Sequence, residues 1–534
     1  ILLESTEYLF ESLDEMIFDG ITGELIGSNL VETEGSIVIE PLDFFRRFPY
    51  YNEIMSFVTP YGIGLDFGEN GKSWYFDVTD FTPLLKGDKR VNMALGGQWQ
   101  EEMDISFMFI VGTPPRDVIE FTQLWQGTNR SGAARINAIN NDERYAPIDI
   151  AVNPNAVDFK LRSTITGHGS DGEFEQNGGT VYHYVNFDGE YEENFWSVNQ
   201  ECSENPVYPQ GGTWVYDRQG WCPGERSKVE VLDVTEFVTP GENVEFDYGC
   251  SEPANGAGDY RYHIAHQLVS YGPANFNLDA RINDVIAPSK KALYARVNPI
   301  CANPIIEIQN TGASDISSVE IEYWINEGNI NTKETFVWEG NLDYMESTEV
   351  QLPTGNVFYG LLLDGNIFHA EIVAVNGIED EYSFNNTYSS AFDRVKVIPD
   401  EFVIVVRTNF NSSENSYELW NDKEEVILAN SLPSPNKIYR DTFDLEGCFK
   451  MKLRDNGDDG LAWWANPAQG TGYAQIRDYD GNVLHDFNAD FGGGFELSFV
   501  TESFNSTKEP EWGSIIKVYP NPALESISVT GVVD

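Results

Sequence analysis

Basic residues are scarce: 33 Lys plus Arg stand against 86 Asp plus Glu, a formal net charge of -53. A surface this acidic repels a phosphate backbone, which excludes nucleic acid as a partner. The acidity is that of a solvated, salt-tolerant surface, with divalent-cation binding as its functional alternative. Long apolar runs are missing too. No stretch approaches the roughly 18 consecutive apolar residues of a membrane-spanning helix, so no transmembrane segment is expected. Five cysteines in 534 residues are too few for a disulfide scaffold, and their odd number leaves one without a partner in the chain. The opening ILLESTEYLF has no basic region ahead of an apolar core, so any export signal is expected to have been removed or to lie upstream.

Helical periodicity is nearly absent. Only residues 4–17 and 117–125 read as short helices, and no glycine-rich phosphate loop links a strand to a helix, which removes support for nucleotide chemistry. Strand signals fill the rest. Short runs of Val, Ile, Phe, Tyr and Thr, broken by Gly, Asn, Asp and Pro, recur at about ten-residue spacing. Examples are WYFDVTDF (74–81), MDISFMFIVG (103–112), VEIEYWI (319–325) and FVIVVRT (402–408). The fold class is therefore all-β, built of jelly rolls or sandwiches. Clusters of Pro, Asn and Ser place boundaries near 150, 290, 398 and 510. The expected units are an N-terminal region with a first jelly roll (1–150), a second jelly roll (151–290) and two further β-sandwiches (291–398 and 399–509). A short terminal segment (510–534) follows.

The phrases CANPIIEIQNTGASDISSVEIEYWIN and WEGNLDYMESTEVQLP resemble the Ig-like adhesion modules of exported Bacteroidetes proteins. GCFKMKLRDNGDDGLAWW resembles a sandwich module found ahead of secretion tails, and IIKVYPNPALESISV resembles the opening of a type IX secretion signal domain. These likenesses imply export to the cell surface, with the type IX secretion machinery as a partner.

Five phrases between residues 54 and 272 occur in the order found in the peptide-N-glycosidase F-like family. They are IMSFVTPYG (54–62), WYFDVTDFTPLL (74–85), FIVGTPPRD (109–117), LRSTITGHG (161–169) and CSENPVYPQGGTWVYDRQGWCPG (202–224). The resemblance implies two jelly rolls side by side with a substrate cleft at their junction, an architecture shared with copper-dependent peptidylglycine monooxygenases. It also implies a disulfide between Cys202 and Cys222. Family members release N-glycans by hydrolysing the glycan–asparagine amide, which needs a carboxylate to activate water and donors for the developing oxyanion.

On this resemblance Trp99 and Arg218 match cleft-lining positions, and His168 stands where the family has a cleft Trp; the three are the substrate-binding candidates. His168 reads equally as an exposed turn residue. The family's three carboxylates are not in place. No Trp-Asp-Arg phrase occurs in residues 30–53, Asn177 takes the second position and Gly97 the third. Glu101, Glu102, Glu173 and Glu175 lie nearby without assignable roles. The catalytic residues are therefore unassigned.

Four of six histidines, His168, His183, His263 and His266, fall in the second jelly roll. Imidazole suits copper or zinc, so a metal site is one reading and structural histidines the other. On one strand His263 and His266 point to opposite faces, which opposes a shared metal unless a bulge intervenes. Asp455, Asp458 and Asp459 in DNGDDG resemble a calcium loop without the EF-hand spacing; an Asp-rich turn is the alternative. Adjacent Trp463 and Trp464 either stack on a sugar or divide between core and surface. Pairing among Cys250, Cys301 and Cys448 stays open, adjacency favouring Cys250 with Cys301.

The sequence thus points to an exported surface protein that recognises glycans or glycoproteins. The alternatives are a divergent N-glycan amidase, a copper-dependent oxidoreductase and a structural adhesin.

Overall fold

The structure, a computed structural model, describes residues 6–39, 51–62, 65, 67, 71–94, 102–127, 132–174, 179–196, 198–199, 201–253, 258–326, 333–357, 361–362, 366–504, 517–519 and 528–530. Residues 1–52 and 53–534 form two separate units. In the first, β1 (Thr6–Phe18) and β2 (Leu25–Ile39) make an antiparallel hairpin. From Thr6 onward the segment read as a helix over 4–17 is therefore a strand. Its turn explains why: the Asp19 carboxylate accepts the amide hydrogens of Ile21 and Thr22, and Gly23 takes a left-handed φ of 69°. The chain thus folds back, and pairing with the Val- and Ile-bearing β2 overrides local propensity.

Among the described residues of the second unit, no named strand precedes β3 (Arg116–Gln126). The strands expected at 74–81 and 103–112 are not there. Asp77 bonds the amide and hydroxyl of Thr79, starting a 3-10 turn over Thr79–Phe81, the kind of local bonding that competes with sheet ladders. Ile110 and Val111, each 95% exposed, lie outside any named strand. The other proposed helix, 117–125, is β3 itself. Phe121 packs on one face of β3, while Leu124 and Trp125 pack on the other. Apolar residues on both faces hid its period of two.

A jelly roll follows, from β4 (Ala134–Arg135), β5 (Ile148–Ala151), β6 (Asp158–His168), β7 (His183–Phe187) and β8 (Tyr191–Phe195). Next come β9 (Val198–Asn199), β10 (Arg218–Gln219), β11 (Val229–Asp233), β12 (Asn243–Cys250) and β13 (Arg261–Ala274). One sheet runs β11-β6-β13-β3, with β4 also on β13; the facing sheet runs β5-β12-β7-β8. Phe159, Leu161, Ile165, Val185, Phe246, Tyr262 and Ile264 fill the space between them. Helices α1 (Ile136–Asn140) and α2 (Gly169–Glu173) are single turns.

The other face of the first sheet is covered by residues from before β3. Phe81, Ile54, Val78 and Leu84 pack on Phe121, Val269 and Tyr271. Asp80 fastens this cover by bonds to Arg162 (3.0 Å) and the Tyr271 hydroxyl (2.7 Å).

Two further sandwiches have their own cores. One pairs the sheet of Ala280–Ala287, Ile305–Asn310 and Ser347–Gln351 with that of Ile316–Ile325, Glu334–Leu342, Asn366–Val375 and Thr387–Phe392. The 319–325 and 402–408 strand expectations are met, with Glu401–Arg407 central in the last sandwich. A Cys301–Cys448 disulfide links the two sandwiches. Cys250 instead carries no disulfide and lies buried in the jelly roll, which overturns the adjacency argument for Cys250 with Cys301. Of the YPNP phrase only Tyr519, in a short pair of Lys517–Tyr519 with Ser528–Thr530, is among the described residues.

Candidate functional site

The Cys202–Cys222 disulfide forms as the resemblance implied and closes a loop of 20 residues. Inside that loop Arg218 is fully buried. Its Nε donates to Glu173 (3.0 Å), Nη1 to the Tyr216 carbonyl (2.8 Å), and Nη2 to the carbonyl and hydroxyl of Thr213 (both 2.8 Å). The rings of Trp221, Phe174 and Tyr61 stand 4.9, 5.0 and 5.7 Å from its guanidinium carbon. Arg218 therefore does not face solvent where a substrate would approach; it holds the loop from within. The loop in turn leans on the end of β6. Trp221 donates to the Gly167 carbonyl (3.1 Å), and Gly220, at φ 74°, lies so close that a Cβ there would sit 1.7 Å from the Ile165 carbonyl.

This buttress supports the corner carrying His168, which is exposed and whose Nε2 is 3.0 Å from the Thr166 hydroxyl. Thr166 faces His263 directly across the β6–β13 pair. His263 Nε2 lies 3.9 Å from Glu53 Oε2. A Cβ at Gly127 would fall 2.6 Å from His263 Nδ1, so glycine leaves room for the ring. Glu53 is positioned by its main chain: its amide donates to Gln126 (3.2 Å), and its carbonyl accepts from Gln267 (2.7 Å).

Burial without a bonded cation pushes the Glu53 carboxyl up to about 7. Burial chiefly, with His168 and Arg144 adding repulsion, lowers the His263 pKa. At neutral pH the pair thus holds a carboxyl poised between its two forms beside a neutral imidazole, an arrangement suited to proton transfer. An open depression of about 500 Å³ adjoins it, lined in part by Gln126, Glu143, Arg144 and Tyr145. Glu53 escaped the sequence reading because nothing in PYYNEIMS marks it; its property comes from what packs over it.

The histidines do not converge. His266 points into the core, where Nδ1 meets Ser163 (2.8 Å), while His263 lies on the opposite face, as strand geometry requires. His183 is also fully buried, 2.8 Å from the Tyr248 hydroxyl and 3.4 Å from Cys250 Sγ. Burial drives the pKa of both His183 and His266 down to about 3, so both are neutral core residues. Two imidazoles are thus sealed inside and two lie on the outer face.

Trp99, Gly97 and Asn177 fall outside the described residues. Trp463 is buried against Trp214 and Val215 of the disulfide loop, whereas Trp464 is exposed and donates to the Gly212 carbonyl (2.8 Å). The tryptophan pair divides between core and surface and docks the last sandwich on the jelly roll. In the DNGDDG loop, Asp455 and Asp459 meet Glu414 rather than Asp458, which instead accepts from Ser203 (2.9 Å).

Comparison with known proteins places this architecture. Residues 135–269 match the family described as "Peptide-N-glycosidase F, C terminal". Over 235 residues, 41% of the chain, it is 25% identical to peptide-N(4)-(N-acetyl-beta-D-glucosaminyl)asparagine amidase F of Elizabethkingia miricola. The chain covers 64% of that relative's length. Among solved structures, a peptide-N(4)-(N-acetyl-beta-D-glucosaminyl)asparagine amidase is 19% identical over 51% of this chain and 79% of its own, with a TM-score of 0.30. The glycosylasparaginase PNGase F of Flavobacterium meningosepticum is 18% identical over 50% and 78%, also with a TM-score of 0.30. The jelly roll is a peptide-N-glycosidase F-like module; the two later sandwiches lie outside the residues that the family matches.

Proposed function

We propose that the chain is an exported surface protein whose peptide-N-glycosidase F-like module recognises glycans or glycopeptides. The observation that carries this reading is the match over residues 135–269, together with the 235-residue alignment to an amidase named for N-acetylglucosaminyl-asparagine. In this reading residues 291–398 and 399–509 are spacer modules, and the segment from 510 is the start of a type IX secretion signal. The module's ligand is expected at the edge where His168 is exposed beside the Cys202–Cys222 loop.

A second reading, amide hydrolysis by relocated groups, is favoured by the pairing of Glu53 with His263. As a carboxylate, Glu53 would take a proton from water attacking the amide carbonyl; once protonated it would return that proton to the departing glycosylamine. The separation of the four imidazoles between two faces of the sheet gives a paired copper site less support.

The experiment is a glycan array together with a glycan-release assay on a denatured N-glycoprotein, both with the full chain and with Glu53→Gln. Binding without release supports recognition alone. Release that falls by about 10² to 10⁴ in Glu53→Gln supports the amidase. Neither binding nor release overturns both readings and leaves a structural adhesin, for which a cell-surface pull-down is the test.

A further inference from the structure

The last sandwich holds a buried polar pocket that the glycan reading does not use. Glu414 ends a 3-10 turn (Ser412–Glu414), Asn415 begins the next strand, and Asp455 closes the strand beside it, its Cα register partner being Asn415. Asp459 follows in the loop, and Gln469 ends the turn Pro467–Gln469. One carboxylate oxygen from each of Glu414, Asp455 and Asp459 lies within 4.8 Å of the others. Among the described residues none of the three forms a salt bridge with Lys or Arg.

Two amides complete the pocket. Asn415, 2% exposed, points its Nδ2 at Asp455 (3.2 Å), and Gln469, 6% exposed, points its Nε2 at Asp459 (2.7 Å). The oxygen on each amide head is buried with no hydrogen-bond partner, as are Asp459 Oδ1 and Glu414 Oε1. Three carboxylates thus stand together, two buried amides border them with their NH2 ends turned inward and their oxygens unpartnered, and nothing basic neutralises the cluster. A buried carboxylate without a counter-charge is destabilising, and so is a buried acceptor left without a donor. A hard cation with six to eight oxygen ligands removes both costs, and calcium tolerates such mixed carboxylate and amide shells better than magnesium.

We propose that this pocket is a calcium site, with Glu414, Asp455 and Asp459 as carboxylate ligands, the Asn415 and Gln469 amides turning end for end to offer their unpartnered oxygens, and water filling the remaining positions. The site also carries the docking contact. Asp458, between two ligands, turns outward at φ 63° to accept from Ser203 of the disulfide loop. Arg296 bridges the same contact, donating to the carbonyls of Ser203 (2.9 Å), Asn205 (2.8 Å) and Phe491 (2.9 Å). Calcium would hold the 455–460 loop in the shape that fastens the last sandwich to the jelly roll.

The test is calorimetric titration of the EDTA-treated, desalted full chain with calcium chloride, followed by thermal unfolding and limited proteolysis. Expected are a binding event with a dissociation constant of about 10⁻³ M or tighter and a rise of about 5 °C or more in an unfolding midpoint at saturation. Slower cleavage near the 455–460 loop should accompany them. Asp455 also bonds the amides of Gly457, Asp459 and Gly460, so its substitution risks the fold. Glu414→Gln is the chosen variant, because that side chain holds no hydrogen bond in the turn; it should keep the native circular dichroism spectrum and lose the titration. No response to 10 mM calcium (about ten times the weakest expected constant) overturns the site, as does an undiminished response in Glu414→Gln. An equal response to magnesium overturns the assignment to calcium.

Discussion

Glu53 Oε2 stands 3.9 Å from Nε2 of His263, across the seam between the segment that precedes the jelly roll and the sheet it covers. The carboxyl titrates near 7 because its surroundings dry it, and the imidazole is kept neutral by the same burial. The sign of the consequence for stability is fixed. A carboxyl whose folded pKa is raised holds a proton that the unfolded chain has already released, so its stabilising contribution is present below the ordinary carboxyl value and is lost as pH rises towards 7. Glu53→Gln is therefore expected to flatten the fall in stability between about pH 4.5 and pH 7 and to be more stable than the parent at pH 8. Denaturant midpoints of both proteins across that range, with and without EDTA, are the measurement.

The calcium pocket adds a second term to the same curve. Burial pushes Asp455 up to about 7, with Glu414 and Asp459 adding repulsion, so in EDTA it too stabilises the acidic side of the window. With the cation bound, its ionised form is the favoured one, and the trend contributed by Asp455 should reverse. Stability measured with saturating calcium is expected to fall less steeply, or to rise, from pH 5 to pH 7. Identical pH profiles in calcium and EDTA would contradict this.

Arg218 was legible in the sequence as part of the DRQGWCPG phrase, but its role was not. A phrase says which residues travel together; it does not say which way a guanidinium points. The fold places four of its hydrogen bonds and three aromatic rings around it, so it is a loop anchor. Arg218→Met should cost about 3 kcal/mol, since it leaves Glu173 and the Thr213 and Tyr216 carbonyls without their donor. Arg218→Lys should recover part of this because it keeps the charge and loses the fork. Chemical denaturation gives the size, and chymotrypsin cleavage within 202–222, at Trp214, Tyr216 or Trp221, gives the place.

The all-β class, the jelly-roll phrases and the Cys202–Cys222 pair were readable because strand composition, turn residues and ordered motifs are local. What was missed is set by partners distant in sequence. Residues 4–17 have helix-compatible spacing, yet a turn at Asp19 delivers a strand partner. WYFDVTDF has strand composition, yet Asp77 and Thr79 close a turn on themselves. Glu53 and Glu414 looked like two acids among many, and only burial beside His263 in one case and Asp455 in the other distinguishes them. Cys301 finds Cys448 because two sandwiches pack side by side, which spacing along the chain does not encode.

The two disulfides are expected to differ in what their loss does. On the chain-entropy argument, opening the Cys202–Cys222 loop removes about 3 kcal/mol, and the longer Cys301–Cys448 loop would cost somewhat more. Cys202→Ser with Cys222→Ser should also expose the Arg218 loop to protease. Cys301→Ser with Cys448→Ser should leave that loop intact and separate the unfolding transitions of the two later sandwiches. Differential scanning calorimetry resolves the two cases by the number of transitions as well as by their midpoints.

Gly220 offers the strictest local test. Its φ of 74° is one that L side chains rarely adopt, and a Cβ there would lie 1.7 Å from the Ile165 carbonyl oxygen. No rotamer relieves that clash, because the obstructing atom is main chain in the core strand β6. Gly220→Ala must therefore push the disulfide loop off the strand, lengthening the Trp221 bond to Gly167 and loosening the corner that presents His168. A loss of about 3 kcal/mol or more is expected, from left-handed strain together with steric overlap. The neighbouring control, Gly189→Ala, has a similar φ of 71° but nothing within 4 Å of the added carbon, so only the strain of about 1 kcal/mol should appear. If both variants lose stability equally, the close approach of the loop to β6 is not what holds the corner. If Gly220→Ala alone collapses and also abolishes glycan binding, the loop is the support on which that edge depends.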